Sequence, residues 1–301
     1  MNILKLTNRP KNKLVQFVKN LEDLRPSQLD FENSLYQMSE KIDGVFCLAL
    51  KLDDAVTIFS RTGEIYQSMK HIEEELMSKL KNKDIIFFEA TNRGTKVDQS
   101  IISGWCRDKK TQHPELVAAC HNYLTLEDFC KEKSSMTFST AEGELSLRIK
   151  DIGGHFKAGV SCYRLPSLPC RSKAHALETA QEIWRKGGEG VILKNLQASY
   201  EPGKRNASLI RIKEKVTYDL KVIDVFEGTG KYRFHGLMGG VVCQWKDGKT
   251  IRVGSGFTDV ERSGDWIGKI IEVEAMRESS KGLLREPRFK RIRLDKTEGD
   301  F

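Results

Sequence analysis

Apolar residues recur at the 3.6-residue period of an amphipathic helix in two parts of the chain. The first segment, Lys11–Leu24, follows Pro10 and has its apolar positions at Leu14, Phe17, Val18, Leu21 and Leu24. The second, Lys173–Lys186, lies between Ser172, which suits a helix N-cap, and the terminating Gly187-Gly188. This pattern predicts a helix over each segment.

Continuous or alternating apolar runs of strand length dominate elsewhere. Val45–Leu52 and Ala55–Arg61 predict a hairpin, and Asp84–Glu89 and Gly190–Lys194 predict further strands. After Lys215 the predicted strands are short and close together: Leu220–Glu227, Gly240–Trp245, Thr250–Gly254 and Lys269–Met276. About five short strands in roughly 80 residues are typical of a small β-barrel of the OB type. We place the domain boundary between residues 216 and 217.

The composition is that of a globular protein, with 39% hydrophobic and 31% charged residues among 301. The net charge of +8 indicates a polyanionic partner. Seven scattered cysteines without a CxxC pair fit reduced thiols and argue against zinc. No apolar run has the length of a membrane span, and the N-terminus lacks a signal core. We therefore expect a cytoplasmic protein without a membrane partner.

Lys41, within Glu40-Lys41-Ile42-Asp43-Gly44, is a candidate covalent nucleophile. A free lysine has a pKa of about 10.4, so an attack on phosphorus requires a lowered pKa or a nearby metal. Asp43 would share a strand face with Lys41 if the segment is extended. Gly44 would let the chain approach a ligand closely. A surface lysine in a turn would fit the same residues.

Two glutamates could bind a metal ion. Glu89 ends the apolar run Ile85–Phe88, where a carboxylate is costly to bury unless a cation or hydrogen bonds meet it. Glu189 precedes the strand Gly190–Lys194, and Mg²⁺ prefers one or two carboxylates together with phosphate oxygens. A charge at a strand end and a simple turn are the structural alternatives.

Two basic segments could bind phosphates. The segment Ile210–Lys215 alternates, so that Arg211, Lys213 and Lys215 would share a strand face on which a phosphate reduces their repulsion. An edge strand protected from aggregation by lysines would have the same pattern. Residues 285–296 contain six basic side chains and could bind DNA phosphates or pyrophosphate, although a solvated tail would look similar.

In this order the motifs resemble those of the covalent nucleotidyltransferases, and within them the small, bacteriophage-type ATP-dependent DNA ligases, over residues 36–297. The similar segments are, in chain order, Lys41–Gly44, Arg61–Gly63, Glu89, Glu189–Lys194, Arg205, Lys213 with Lys215, Arg252–Thr258 and Leu284–Lys296. The last two, which are similar to the OB domain and its closing motif, are the most specific.

The resemblance implies an α+β fold: an ATP-grasp-like nucleotidyltransferase domain of antiparallel sheets and helices, residues 1–216, followed by an OB-fold barrel, residues 217–301. It implies Lys41 as the nucleophile and Glu89 and Glu189 as Mg²⁺ ligands. The residues implied to bind ATP are Ser39, Lys41, Arg61, Glu89, His121, Tyr123, Arg205, Lys213 and Lys215. Those implied to contact DNA or pyrophosphate are Asp43, Arg285, Arg288, Arg293, Asp295 and Lys296.

The sequence departs from the family pattern near the nucleotide. Phe46 stands where an arginine usually contacts the AMP phosphate, and Ser39 stands where a glutamate is common. Phe87-Phe88 replaces the usual Asp-Gly before the glutamate of the third motif. His121 occupies the position of the aromatic residue that stacks on adenine, with Tyr123 as the alternative.

The resemblance implies a monomeric ligase that seals nicks in duplex DNA through lysyl-AMP, in the cytoplasm of a bacterial or phage-infected cell. ATP is expected rather than NAD because the roughly forty residues before Lys41 are too few for a compact nicotinamide-binding domain. An RNA ligase, an mRNA-capping guanylyltransferase that uses GTP, and a non-catalytic OB-fold nucleic-acid-binding protein are the alternatives.

Overall fold

The computed structural model describes residues 1–94, 97–149, 160–279 and 281–301. It divides into two compact units, Met1–Lys213 and Glu214–Phe301. The helices of the first unit are α1 (Ile3–Thr7), α2 (Lys70–Lys79), α3 (Gln99–Arg107), α4 (Leu126–Cys130), α5 (Phe138–Arg148) and α6 (Lys173–Arg185). Its strands are β1 (Phe17–Asn20), β2 (Tyr36–Glu40), β3 (Val45–Leu52), β4 (Ala55–Ser60), β5 (Ile65–Tyr66), β6 (Asp84–Asn92), β7 (Leu116–Thr125), β8 (Cys162–Arg164), β9 (Ser167–Cys170), β10 (Gly190–Asn195) and β11 (Arg205–Lys213).

Two sheets form the framework of the first unit, in the strand orders β5-β4-β3-β6-β7-β8 and β1-β11-β10-β2-β9. Neighbouring strands are antiparallel except in the pairs β1–β11 and β7–β8. Apolar side chains from both sheets, including Leu48, Phe87 and Leu209, share one buried cluster. Helix α6 packs its buried Ala176 and Ala180 in a separate cluster with strands of the second sheet. The two sheets are therefore held by a common core.

The described part of the second unit is a small β-barrel with one short helix. Its strands are β12 (Val216–Glu227), β13 (Met238–Gln244), β14 (Thr250–Val253), β15 (Ile270–Glu278) and β16 (Leu284–Ile292), and its helix is α7 (Lys231–Phe234). The strand order is β14-β13-β12-β15-β16, and a parallel bridge from Ser255 to Arg288 links the two edges. Inside, the rings of Phe257 and Phe289 stack with centroids 4.5 Å apart.

Most predicted elements are present. Helix α6 begins after Ser172, whose side chain accepts a hydrogen bond from the His175 N–H, as the capping pattern predicted. The hairpin of β3 and β4 and the α+β class are also confirmed. The structure divides the chain after Lys213, whereas the predicted boundary lies between 216 and 217.

The predicted helix over Lys11–Leu24 is wrong. This segment contains a 3-10 turn at Lys11–Lys13, strand β1, and a second 3-10 turn at Leu21–Asp23. Strand β1 pairs in parallel with β11, so tertiary pairing outweighs the helical spacing of the apolar residues. The tail alternative for the C-terminal basic segment is also wrong, because most of it is strand β16, paired with β15. Within the described ranges, no helix is long and apolar enough to cross a membrane.

Candidate active site

Three neighbouring strands of the second sheet meet at the candidate nucleophile. Strand β2 ends at Glu40, and the ladder continues into Lys41, whose backbone N–H donates to the Gly190 carbonyl at 2.8 Å. Gly190 begins β10 and lies opposite Lys213 at the end of β11. Because Glu189 immediately precedes Gly190, the pairing of these strands brings Lys41, Glu189 and Lys213 together.

Gly190 is required for this junction. Its φ is 144°, and a Cβ atom there would lie 2.0 Å from the Ile212 carbonyl oxygen. No other residue could occupy the position without moving β10 away from β11. Gly44 is a second close approach, since its Cβ would lie 2.5 Å from the Ala90 carbonyl oxygen, and it also lines the cavity described below.

Glu189 bridges two lysines. Its Oε2 lies 2.5 Å from Lys41 Nζ, and its Oε1 lies 3.1 Å from Lys213 Nζ. The side chains of Lys41, Glu189 and Lys213 are only 20%, 9% and 13% exposed. Burial lowers the pKa of Lys213, an effect that Glu189 opposes and Lys41 reinforces. The Glu189 carboxylate is within direct proton-transfer distance of the Lys41 amine.

A cavity of about 480 Å³ lies beside Lys41, within the usual size range of small-molecule sites. Residues of the predicted ATP-binding set that line it are Ser39, Lys41, Arg61, Glu89, His121 and Arg205. Its apolar lining includes Phe46, Phe87, Phe138, Ile192 and Leu209. The combination of apolar walls with cations and carboxylates suits a ligand that has a flat aromatic part and an anionic part.

Glu89 lies on β6 opposite Phe46 and lines this cavity. Burial raises the pKa of Glu89 to about 7; Lys41 and Arg61 lower it, whereas Glu189 and Asp43 raise it further. Glu189 and Asp43 are therefore close enough to disfavour the ionisation of Glu89. A cation between Glu89 and Glu189 would oppose that effect and favour the ionised form of Glu89.

A divalent cation would need further ligands beyond these two side chains. In the described part of the chain, no three His, Cys, Asp or Glu residues cluster closely enough to hold a metal ion by themselves. Two carboxylates that repel one another, with the remaining ligands coming from water and a substrate phosphate, match the usual coordination of Mg²⁺. The donor set fits Mg²⁺ that is bound together with a phosphorylated substrate.

Arg61 lies between two aromatic rings. Its guanidinium carbon is 5.4 Å from the centroid of Phe46 and 5.9 Å from that of Phe17. Arg205 lies 5.3 Å from the same Phe17 ring, and His121 lies 6.0 Å from Phe46. Phe46, which stands where the similar motif has an arginine, therefore contacts the cation of Arg61. Among the described residues, Arg61 has no hydrogen-bonded or ion-paired partner, so its N–H groups are available to a ligand.

A β-bulge presents His121 to the cavity. The register between β6 and β7 shifts so that Phe87 opposes Asn122 and Phe88 opposes Cys120, which leaves His121 as the extra residue. Burial, followed by the charge of Lys194, lowers the pKa of His121 to about 3, so its ring is neutral at physiological pH. A neutral imidazole is a flat surface on which an aromatic ligand can stack.

Tyr123, the alternative stacking residue, lies elsewhere. It belongs to the core cluster on the opposite face of β7, is only 2% exposed, and its hydroxyl donates to Asp84 Oδ1 at 2.7 Å. Arg148 covers its ring at 4.2 Å from the centroid. The structure therefore excludes Tyr123 from the cavity as described, because these contacts engage both its hydroxyl and its ring face.

Comparisons with known proteins agree with this architecture. Residues 227–293 match the family model of the DNA ligase OB-like domain. A DNA ligase of Haemophilus influenzae is 28% identical over 152 residues, which are 50% of this chain and 54% of that protein. This chain thus spans about half the length of that curated relative.

Solved structures resemble both units of the chain. A structure described as DNA binding with a minimal scaffold, from Lig E DNA ligases, has a TM-score of 0.73 at 18% identity and covers 93% of this chain and 98% of its own. The ATP-dependent DNA ligase of bacteriophage T7 in complex with ATP has a TM-score of 0.56 at 15% identity. The match covers 93% of this chain and 99% of that protein. This chain has the fold of the ATP-dependent DNA ligases. The resemblance predicted from the motifs is confirmed at the level of fold.

The ligase-like motifs near the C-terminus lie in the barrel. Arg285 and Arg288 are on β16, whereas Arg293, Asp295 and Lys296 follow it. Arg293 is paired with Asp219 at 2.6 Å and with Asp295 at 2.7 Å, and Lys296 is paired with Asp219 at 2.5 Å. These ion pairs tie the end of the closing motif to β12.

Lys215 also belongs to the second unit, where its Nζ lies 2.9 Å from Glu274. The prediction that Lys215 shares a strand face with Arg211 and Lys213 is wrong, because β11 ends at Lys213. The alternating pattern of the sequence continues past the point where the strand stops, so the pattern alone could not reveal the end.

Sequence reasoning missed several residues that line the ligase-like cavity. Phe17 lies there because β1 pairs with β11, and no local signal marks it. Lys194, the last residue of the fourth motif, donates from Nζ to the His121 carbonyl at 2.7 Å and so supports the bulge. Asn122 lies between the two stacking candidates, His121 and Tyr123, and it faces the cavity because of the register shift at His121.

Proposed function

We propose that this protein is an ATP-dependent DNA ligase that seals nicks in duplex DNA through a lysyl-AMP intermediate. The observation that carries the proposal is the buried group of Lys41, Glu189 and Lys213 beside a cavity with the size and lining expected for a nucleotide. The curated relative is a DNA ligase, and the bacteriophage T7 relative was solved with ATP, which supports the same substrates here.

In the first transfer, Lys41 Nζ attacks the α-phosphorus of ATP. A P–N bond forms while the bond from that phosphorus to pyrophosphate breaks. Before the attack the Lys41 ammonium gives one proton to Glu189, whose Oε2 lies 2.5 Å away, and the second proton leaves to solvent as the P–N bond forms. The N–H groups of Arg61 and the charge of Lys213 stabilise the negative charge on the phosphoryl oxygens.

The other two transfers use the same centre. An oxygen of the 5′-phosphate at the nick attacks the adenylate phosphorus, the P–N bond breaks, and Lys41 recovers a proton. The 3′-hydroxyl oxygen then attacks the 5′-phosphorus and a phosphodiester forms. The bond from that phosphorus to AMP breaks, AMP leaves, and the hydroxyl proton passes to solvent. Arg285 and Arg288 on β16 would contact the DNA backbone.

In the later transfers, Glu89 and Glu189 would hold Mg²⁺ together with phosphate oxygens. When bound, the ion neutralises charge on the phosphates and orients them. Glu189 raises the pKa of Glu89, and a cation bound between them would oppose this effect, which supports a cation in this position.

We further propose that the protein acts as a monomer in the cytoplasm of a bacterial or phage-infected cell, where ATP and DNA are both present. All seven cysteines are free thiols, which is consistent with a reducing compartment.

The test is intact-mass analysis after incubation with Mg²⁺ and either ATP or GTP, without nucleic acid. We expect a mass gain of one adenylate with ATP, none in Lys41→Ala, and an unchanged gain in the control Lys11→Ala, whose side chain is 63% exposed and paired with Glu64. Labelling by GTP would indicate a capping enzyme, and the absence of labelling a binding protein. Sealing of nicked RNA in preference to nicked DNA would indicate an RNA ligase.

A further inference from the structure

Asn122 is a buried polar side chain that lines the candidate nucleotide cavity and has no hydrogen-bond partner in the part of the chain that the structure describes. It is 3% exposed, and neither its amide nitrogen nor its amide oxygen has a hydrogen-bond partner among the described residues. A buried polar group without a partner costs on the order of 1–3 kcal/mol. An amide in which both ends are unsatisfied is therefore expected to have a role that offsets this cost.

The local fold explains why the amide points into the cavity. The bulge at His121 leaves Asn122 opposite Phe87, on the face of the sheet that lines the cavity. Asn122 therefore follows directly on the residue whose neutral ring borders the same cavity. A group that stacks on the His121 ring would present its rim to the neighbouring amide.

The amide specifies the chemistry of that rim. A carboxamide offers one acceptor and one donor side by side. The matching edge has an N–H donor next to a ring nitrogen, which is the pattern of the exocyclic amine and an adjacent ring nitrogen of adenine. The surroundings of Asn122 include the apolar Phe87 and the neutral His121, which suits a nucleobase better than a phosphate.

We propose that Asn122 determines specificity for adenine by hydrogen-bonding the edge that carries its exocyclic amine. The amide oxygen accepts from the amine, and the amide N–H donates to the neighbouring ring nitrogen. This inference rests on the proposed function, because it requires the cavity to bind the base of the nucleotide that reacts with Lys41.

The experiment compares ATP with purine riboside triphosphate, which lacks only the exocyclic amine. The second-order rate constant for lysyl-nucleotide formation is measured for each by single-turnover mass spectrometry. In the wild type we expect a preference for ATP of about tenfold or more, because the analogue leaves the amide oxygen unpaired. In Asn122→Leu we expect the ratio of the two constants to fall to nearly one, and Asn122→Ala provides a second variant if the leucine does not fold.

The melting temperature of the ligand-free protein gives an independent readout. Asn122→Leu removes an unsatisfied amide and is expected to preserve or raise it. The matched control is Asn92→Leu, on the neighbouring strand β6, where the amide is satisfied: Nδ2 donates to the Arg93 carbonyl at 3.2 Å and Oδ1 accepts from the Val97 N–H at 3.3 Å. This control is expected to lower the melting temperature and leave the ratio unchanged.

The possible results separate this inference from the function on which it depends. A wild type that forms no lysyl-nucleotide with any triphosphate overturns the proposed function. A wild type that reacts, but whose preference for ATP survives in both Asn122 variants, overturns only the role of Asn122. A lowered melting temperature of Asn122→Leu together with an unchanged ratio would identify the amide as a structural group.

Discussion

At the scale of single residues, Glu89 has a protonation state that its surroundings control. Burial raises its pKa from the ordinary 4.5 to about 7, with Glu189 and Asp43 acting in the same direction. Near neutral pH a substantial fraction of Glu89 is therefore protonated in the absence of a cation. Because the unfolded chain restores the ordinary pKa, this residue makes stability depend on pH.

We predict that Glu89→Gln changes the pH dependence of stability. Between pH 4.5 and about 7 the folded wild type binds more protons than the unfolded chain. The stability that comes from burying neutral Glu89 is therefore fully present below the unfolded-state pKa of 4.5. It is lost as the pH rises through the folded-state pKa of about 7. Glutamine does not titrate, so the melting temperature of the variant minus that of the wild type should increase, by a few degrees, from about pH 5 to about pH 8.

Thermal unfolding measured without Mg²⁺ or nucleotide at several pH values checks this prediction. The control is Glu64→Gln, an exposed carboxylate whose pKa is lowered by Lys11, so its difference from the wild type should not rise over the same interval. A constant difference for Glu89→Gln would show that the folded protein does not shift this carboxyl group.

Phe46 is the second residue whose role depends on its contacts. We predict that Phe46→Leu raises the apparent Kd for ATP by about three- to thirtyfold, because Arg61 loses one of its two aromatic contacts. Phe46→Tyr retains the ring and should remain near the wild type. Equilibrium binding measured in Lys41→Ala, which cannot react, checks this. If Phe46→Leu raises the apparent Kd by the same factor in an Arg61→Ala background as in the presence of Arg61, the ring does not act through Arg61.

At the scale of elements, the site depends on how closely β10 approaches β11. The backbone at Gly190 holds Lys41 from one side and faces Lys213 on the other. Any displacement of this strand would separate Glu189 from one of its two lysines. A misplacement of about 1 Å in such a site can cost roughly a hundredfold in rate.

We predict that Gly190→Ala lowers the free energy of unfolding by about 2–4 kcal/mol and slows lysyl-AMP formation about a hundredfold. The physical reason is the 2.0 Å contact that its Cβ would make with the Ile212 carbonyl oxygen. The control is Gly104→Ala within α3, where an added Cβ meets nothing within 4 Å. This substitution should raise the free energy of unfolding by about 0.5–1 kcal/mol. Denaturant unfolding and single-turnover kinetics measure both effects. Equal behaviour of the two variants would contradict the close approach at Gly190.

Elements differ in how far the sequence could predict them. Strands β3, β6 and β10 were predictable because buried strands are continuous apolar runs. Strand β1 was not, since its conformation follows from pairing with β11, far along the chain. The candidate catalytic residues follow from the order of their motifs, and their roles stay a prediction. The sequence could not predict that Tyr123 points away from the cavity and that Asn122 lines it. Both facts depend on a one-residue register shift at His121.

At the scale of the whole molecule, a net charge of +8 must be read together with the ion pairs that already engage many of the basic residues. On β16, Lys290 is paired with Glu274 at 3.5 Å and Arg291 with Glu272 at 2.8 Å. Arg288 is exposed and has no ion pair among the described residues. The basic residues of this strand should therefore differ in how much they contribute to binding a polyanion.

We predict that Arg288→Ala weakens binding to nicked duplex DNA and reduces the slope of log K against log salt by about 0.9, the loss of one phosphate contact. Arg291→Ala removes the same charge from an existing ion pair, so its slope should change less. Equilibrium binding with the Lys41→Ala protein over a series of salt concentrations measures both slopes without turnover. Equal reductions would mean that net charge alone governs binding, and that Arg288 makes no direct contact with the DNA backbone.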